Sequence, residues 1–328
     1  MDMTEFAQNN KILEVMTGSH LYGTATETSD YDYIGIFMPP EDAIFGLASV
    51  SEVNLGTESK DASGKNTADA IDCKCFEFRN ILRLMLQNNP NCLEPLYAPA
   101  GAITFVNDIG RELLANADLF PYRGALGRFI GYAHGQKHRM IVKDEHFLAL
   151  REAALELPKL HDKLPIDEAI HKVPNIIKQV TVDRHGKAVT TQRRYTIGDL
   201  NFPEGVTMHY VIAKIDERLA KIGNRSSLVL QHGFDTKFAG HLIRLLLELE
   251  ELLATGRLVF PLRDATLLKE IRAGQHPCDW ILALADDIEA RCEKVKETSP
   301  LPDKARFNEV QEFCMQTMKK HLRMKGII

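Results

Sequence analysis

The sequence predicts an α/β fold: an N-terminal mixed-sheet domain over residues 1–100, followed by a mainly helical C-terminal domain over residues 101–328. Three observations carry this. Short apolar runs separated by turn residues fill residues 11–97. Segments with helical spacing dominate after Pro99. Residues 179–195 (QVTVDRHGKAVTTQRRY) read as a hairpin turning at His185-Gly186, an insertion between helices.

Taken in order, residues 12–16 form a first strand, and residues 31–38 a second that Pro39-Pro40 ends. Residues 57–67 (TESKDASGKNT) are polar and make an exposed loop. Residues 70–76 form a third strand. Phe78, Ile81, Leu82 and Met85 give residues 76–87 helical spacing, and Asn89-Pro90 stops that helix. Helices follow at 109–117, 124–143, 147–157, 208–222, 236–255 and 279–297, with the single tryptophan, Trp280, expected in the core.

The composition, 45% apolar and 26% charged, is that of a protein with a packed core and excludes a disordered or collagen-like chain. A net charge of -5 argues against coating nucleic acid by bulk positive charge, although a local basic cleft stays open. The most apolar stretch, 241–253, is interrupted by Arg244, Glu248, Glu250 and Glu251, so no membrane span is expected. The six cysteines show no paired C-x-x-C spacing; reduced thiols and a cytoplasmic location follow.

The chemistry concentrates in residues 15–37, VMTGSHLYGTATETSDYDYIGIF. Gly18-Ser19 directly follows a strand, where backbone N–H groups can approach phosphate oxygens. Asp30 and Asp32 open the next strand. Alternation points both to one face with Cα atoms roughly 6.6 Å apart, and Tyr31 to the other. Two such carboxylates can hold a pair of divalent cations about 3.5–4 Å apart for phosphoryl displacement. Mg²⁺ suits all-oxygen ligation and brings substrate phosphates with it. A third carboxylate is needed from a neighbouring strand. In ADAIDCKCF, Ile71, Cys73 and Cys75 share one face while Asp72 and Lys74 share the other, which selects Asp72; Asp69, on the wrong parity, is the fallback.

The G-S…D-x-D arrangement resembles the nucleotidyltransferases of the DNA polymerase β superfamily, and more narrowly the nucleotidyltransferase family related to an RNA repair pathway. The resemblance rests on TGSHLYGTATETSDYDYIGIF, DCKCFEFRNILRLMLQNNPNCLEPLY and KFAGHLIRLLLELEELLATGRL, and covers most of the chain outside 155–235. It implies an N-terminal nucleotidyltransferase domain in which Gly18 and Ser19 contact a triphosphate such as ATP. Asp30, Asp32 and Asp72 would ligate two Mg²⁺ ions, with Mn²⁺ able to substitute. The implied reaction moves a nucleoside monophosphate onto an acceptor hydroxyl, of which the 3′ end of an RNA such as tRNA is one. A protein or small-molecule acceptor, or a non-catalytic nucleotide-sensing partner protein, remains an alternative.

A second polar constellation lies on the helix at 236–255. Lys237, His241, Arg244 and Glu248 fall within an arc of roughly 60°, in a helix otherwise largely apolar. Either this is a solvated stripe with pairs such as Arg244–Glu248, or it faces the nucleotide, with Lys237, His241 and Arg244 binding triphosphate, as the resemblance favours. On residues 131–143, Tyr132, Gln136, Arg139 and Lys143 share a face; His134 and His138 lack the glutamate of a zinc-protease motif. Arg184, Lys187, Arg193 and Arg194 make the hairpin a candidate RNA arm.

Overall fold

Strand β1 (Lys11–Thr17) buries Ile12, Leu13, Val15 and Thr17, and β2 (Tyr31–Phe37) becomes progressively buried towards Phe37. The computed structural model describes residues 2–56, 71–184, 190–222 and 231–328 of the chain. Further along, β3 (Glu52–Asn54), β4 (Ile71–Glu77) and β5 (Ile103–Val106) complete a five-stranded sheet of order β3-β4-β2-β1-β5. Only β2 and β4 are parallel; the remaining pairs are antiparallel. The sheet is therefore mixed, as the sequence predicts.

The three long strands of the sheet are legible in the sequence because they are apolar. The two edge strands are not: β3 is three residues long, and β5 is half-exposed, so neither carries a strong alternation. At the end of β4, the Glu77 carboxylate accepts from the N–H groups of Arg79 and Asn80 at 3.0 and 3.1 Å, capping the helix Phe78–Leu86. That helix buries Phe78, Ile81, Leu82 and Met85, the four residues whose spacing predicts it. Asn88, with φ +51°, and Pro90 at the start of the next short helix end it.

The chain packs as two compact units, Met1–Gly135 with Gly240–Ile328, and Gln136–Ala239. The boundary expected near residue 100 falls inside the first unit, because β5 adds to the β1 edge of the sheet and carries the chain past that point. The second unit holds the hairpin of β6 (Lys178–Arg184) and β7 (Thr190–Ile197), extended by β8 (Leu200–Pro203). Its core gathers Leu150, Leu157, Ile166, Tyr195, Phe202, Met208 and Ile215. The turn at His185-Gly186, with Lys187, lies outside the described residues.

Two expectations are corrected here. The helices expected at 124–143 and 147–157 are one helix, Ala125–Glu156, since nothing between them breaks a helix: there is neither proline nor glycine from 143 to 147. Trp280 is 39% exposed and stacks on His276 with centroids 4.2 Å apart, so it lies on the surface of its helix rather than in the core.

Candidate active site

The antiparallel pairing of β1 and β2 sets Thr17 opposite Asp32, and the parallel pairing of β2 and β4 sets Asp32 opposite Asp72. Register partners on adjacent strands share a face and lie about 4.8 Å apart across the ladder. Asp72 therefore stands beside Asp32, as the parity of β4 predicts. Asp72 is exposed and Asp32 half-buried; Asp30, also half-buried, sits one residue before β2 begins. Asp69 lies outside the described residues.

Gly18 completes this corner. It has φ +64°, a conformation that costs a side-chain-bearing residue roughly 1–2 kcal/mol. A Cβ there would lie 2.2 Å from Asp32 Oδ2. Glycine is thus required twice over, by the turn and by the carboxylate against it. Ser19 follows in the short helix Gly18–Tyr22, where its carbonyl accepts from Thr24 N–H at 2.9 Å. Tyr31, between the two aspartates, turns away from them and stacks on His20 with centroids 4.3 Å apart and planes 8° apart. That contact ties the turn after β1 to the start of β2.

Among the described residues no group of three or more His, Cys, Asp or Glu side chains is placed to hold a metal ion. The structure brings together Asp32 and Asp72 and leaves Asp30 at the end of the strand. The donors are all carboxylate oxygens, the set that suits a hard divalent cation completing its shell with phosphate and water. The space held open by the missing side chain of Gly18 adjoins Asp32.

Arg244 departs from expectation. It is 6% exposed and its Nη1 donates to Glu94 Oε1 at 2.5 Å and to Glu248 Oε1 at 2.9 Å. Its guanidinium carbon lies 4.4 Å from the ring centroid of Tyr22, whose hydroxyl donates to Glu94 Oε2 at 2.7 Å. Both carboxylates are buried. Burial pushes the Glu248 carboxyl up to about 8 despite the pull of Arg244, and pushes the Tyr22 phenol well above its usual range. The guanidinium is thus a core ion-pair partner and not an open phosphate ligand. The expected i,i+4 pair with Glu248 forms, inside the protein instead of in solvent.

The polar stripe on the helix Thr236–Thr255 accordingly changes depth along its length: Lys237 is exposed, His241 half-buried, Arg244 and Glu248 buried. Lys237 belongs to the second unit, His241 and Arg244 to the first. Elsewhere, His134 pairs with Glu289 at 3.1 Å. On β7, consecutive Arg193 and Arg194 point to opposite faces, and Arg193 Nη1 lies 3.8 Å from Glu204 Oε1. All six cysteines are free, and no helix among the described residues is long and apolar enough to cross a membrane.

The family model for RlaP, the RNA repair pathway DNA polymerase beta family, matches residues 2–173. The chain belongs to this family. Within the RNA repair pathway DNA polymerase beta family, membership points at the general level to nucleotidyltransferase activity, and the matched span contains the whole five-stranded sheet with Gly18, Ser19, Asp30, Asp32 and Asp72. An uncharacterized 38.9 kDa protein from the nrdC-mobD intergenic region of Enterobacteria phage T4 is 25% identical over 289 residues, 83% of this chain and 85% of the phage protein. No solved structure matches the chain.

Tyr22 and Glu94 escape a reading of the sequence alone. Tyr22 follows a single leucine in SHLYGT and Glu94 sits in the apolar run CLEPL, and neither setting by itself signals more than packing. A carboxylate between Leu93 and Pro95 is the one usable clue, since a charge placed in a buried run requires a partner.

Proposed function

We propose that this chain transfers a nucleoside monophosphate from a triphosphate to an acceptor hydroxyl. The bond between the α-phosphorus and the bridging oxygen breaks, pyrophosphate leaves with that electron pair, the acceptor oxygen bonds to phosphorus and its proton passes to solvent. The observation that carries this reading is the register pairing of Asp32 with Asp72, with Gly18 against Asp32.

In this reading Asp30, Asp32 and Asp72 hold Mg²⁺, for which Mn²⁺ can substitute. When bound, the cations supply positive charge that eases loss of the acceptor proton and offsets charge on the departing pyrophosphate. The Gly18-Ser19 turn receives the triphosphate through backbone N–H groups and the Ser19 hydroxyl. His241, in the same unit as the turn, is a further candidate for triphosphate contact. Arg244, engaged with Glu94 and Glu248, is not assigned that role.

The acceptor in this reading is the 3′ end of an RNA, supported by the RNA repair pathway in the family's description. Incubation of the chain with Mg²⁺, each labelled triphosphate in turn, and either total RNA or total protein tests it, with pyrophosphate release measured alongside. Labelled RNA with stoichiometric pyrophosphate is expected. Label on protein transfers the reading to a protein acceptor, and binding of triphosphate without pyrophosphate release in any mixture replaces it with nucleotide sensing.

A further inference from the structure

We propose that Arg244 and Glu94 are positioning residues for the triphosphate-binding turn, acting through Tyr22; the inference rests on the nucleotidyl-transfer reading above. Tyr22 is the last residue of the five-residue helix that starts with Gly18-Ser19. Its side chain is 8% exposed and is gripped from two directions. The Arg244 guanidinium covers its ring at 4.4 Å, and Glu94 takes its hydroxyl at 2.7 Å while taking Arg244 Nη1 through the other carboxylate oxygen at 2.5 Å. The three side chains close a ring of contacts, and Glu248 steadies the same guanidinium nitrogen at 2.9 and 3.0 Å.

The backbone is held from the same side. The Tyr22 carbonyl accepts from Leu262 N–H at 3.2 Å, and Gly23, with φ +75°, packs so closely on Pro261 that a Cβ would lie 2.8 Å from the proline Cβ. The segment joining Ser19 to β2 therefore leaves the turn in a direction set by the C-terminal part of the chain.

Apolar packing would fill this space at lower cost. Two acidic side chains and one guanidinium pay a desolvation penalty when buried, and well-packed apolar replacements are often neutral or stabilising. What apolar side chains lack is direction. A planar guanidinium over one ring face, with a carboxylate fixed to the phenol oxygen, allows the ring of Tyr22 a single orientation. The turn that carries Gly18 and Ser19 ends on that ring, so a ring free to tilt leaves the phosphate-binding groups of the turn less preorganised and weakens their hold on the triphosphate. Arg244 thus acts on the turn through Tyr22 without itself touching a phosphate.

The test compares Tyr22→Phe, Glu94→Gln and Glu94→Leu in the full chain. The readouts are triphosphate KM, kcat, the Kd of α,β-methylene ATP with Mg²⁺, and Tm, all measured well below the lowest melting temperature. Tyr22→Phe loses only the hydroxyl bond and is expected to raise KM and Kd roughly tenfold with kcat within about twofold. Glu94→Leu is expected to do at least as much, and the double variant Tyr22→Phe/Glu94→Leu no more than Glu94→Leu alone, because both act through one bond. Glu94→Gln keeps an oxygen acceptor for the phenol and is expected to bring Kd back to within about threefold of the wild type. A merely structural role would lower Tm and leave the KM-to-kcat split unmoved. Unchanged Kd in Tyr22→Phe, in a chain whose wild type binds and transfers, overturns the positioning role alone. A wild type that binds no α,β-methylene ATP overturns the functional reading and this inference with it.

Discussion

Asp32 on β2 and Asp72 on β4 are direct register partners in the one parallel strand pair of the five-stranded sheet. Forty residues of chain separate them, yet parallel pairing makes them neighbours on one face. Two carboxylates at that spacing repel unless a cation lies between them or water screens them.

Neutralising either aspartate of the D-x-D pair is expected to abolish transfer without unfolding the protein. Asp30→Asn and Asp32→Asn should each lose at least about a hundredfold in turnover, the scale of losing one electrostatic element of a transition state. Thermal melts in EDTA should show both variants still folding cooperatively, since Asn keeps the shape of Asp and removes only its charge. Near-wild-type turnover in either variant, followed by pyrophosphate release, removes the metal assignment.

The third carboxylate separates by register. Asp72→Asn should be nearly inactive and Asp69→Asn nearly normal, because position 72 pairs with Asp32 and position 69 has the opposite strand parity in the sequence. Turnover of the two variants side by side checks this, and the reverse order would assign the ligand to Asp69.

Substitution at Gly18 tests the turn from the other side. Gly18→Ala places a methyl where 2.2 Å separates it from Asp32 Oδ2, and does so at φ +64°. The carboxylate or the turn must move. A stability loss of about 1–2 kcal/mol in urea titrations is expected together with a loss of transfer much larger than that destabilisation explains. Wild-type kcat/KM in Gly18→Ala would show that neither the turn nor Asp32 needs this geometry.

Stability should fall as pH rises through the neutral range. Glu248 faces Arg244, Glu94, Tyr22 and Glu251, and burial holds its carboxyl at about 8 against an ordinary 4.5. A carboxyl raised in the folded state keeps its proton there after the unfolded chain has lost it. Its contribution is complete below about pH 4.5 and is lost progressively up to about pH 8. The buried thiols of Cys73, Cys75, Cys92 and Cys292, pushed to about 11 or about 12, titrate above this window. Glu248→Gln should flatten the dependence of Tm on pH between 5 and 8. Equal slopes for the two proteins would place the proton elsewhere.

What the sequence alone determined is local. Strand alternation separates Asp72 from its apolar neighbours Cys73 and Cys75, and the sequence places glycine directly after β1, because each depends only on residues within a few positions. Helical spacing likewise identifies the buried face of Phe78–Leu86. The tertiary structure decided which strands are neighbours, and with that the meeting of Asp32 and Asp72. It also decided the fate of Arg244: a polar stripe at helical spacing looks the same whether it meets solvent or a buried carboxylate, and Glu94 lies 150 residues away in the chain. Trp280 and the edge strands β3 and β5 follow the same rule, since burial and pairing are properties of the neighbours that folding supplies.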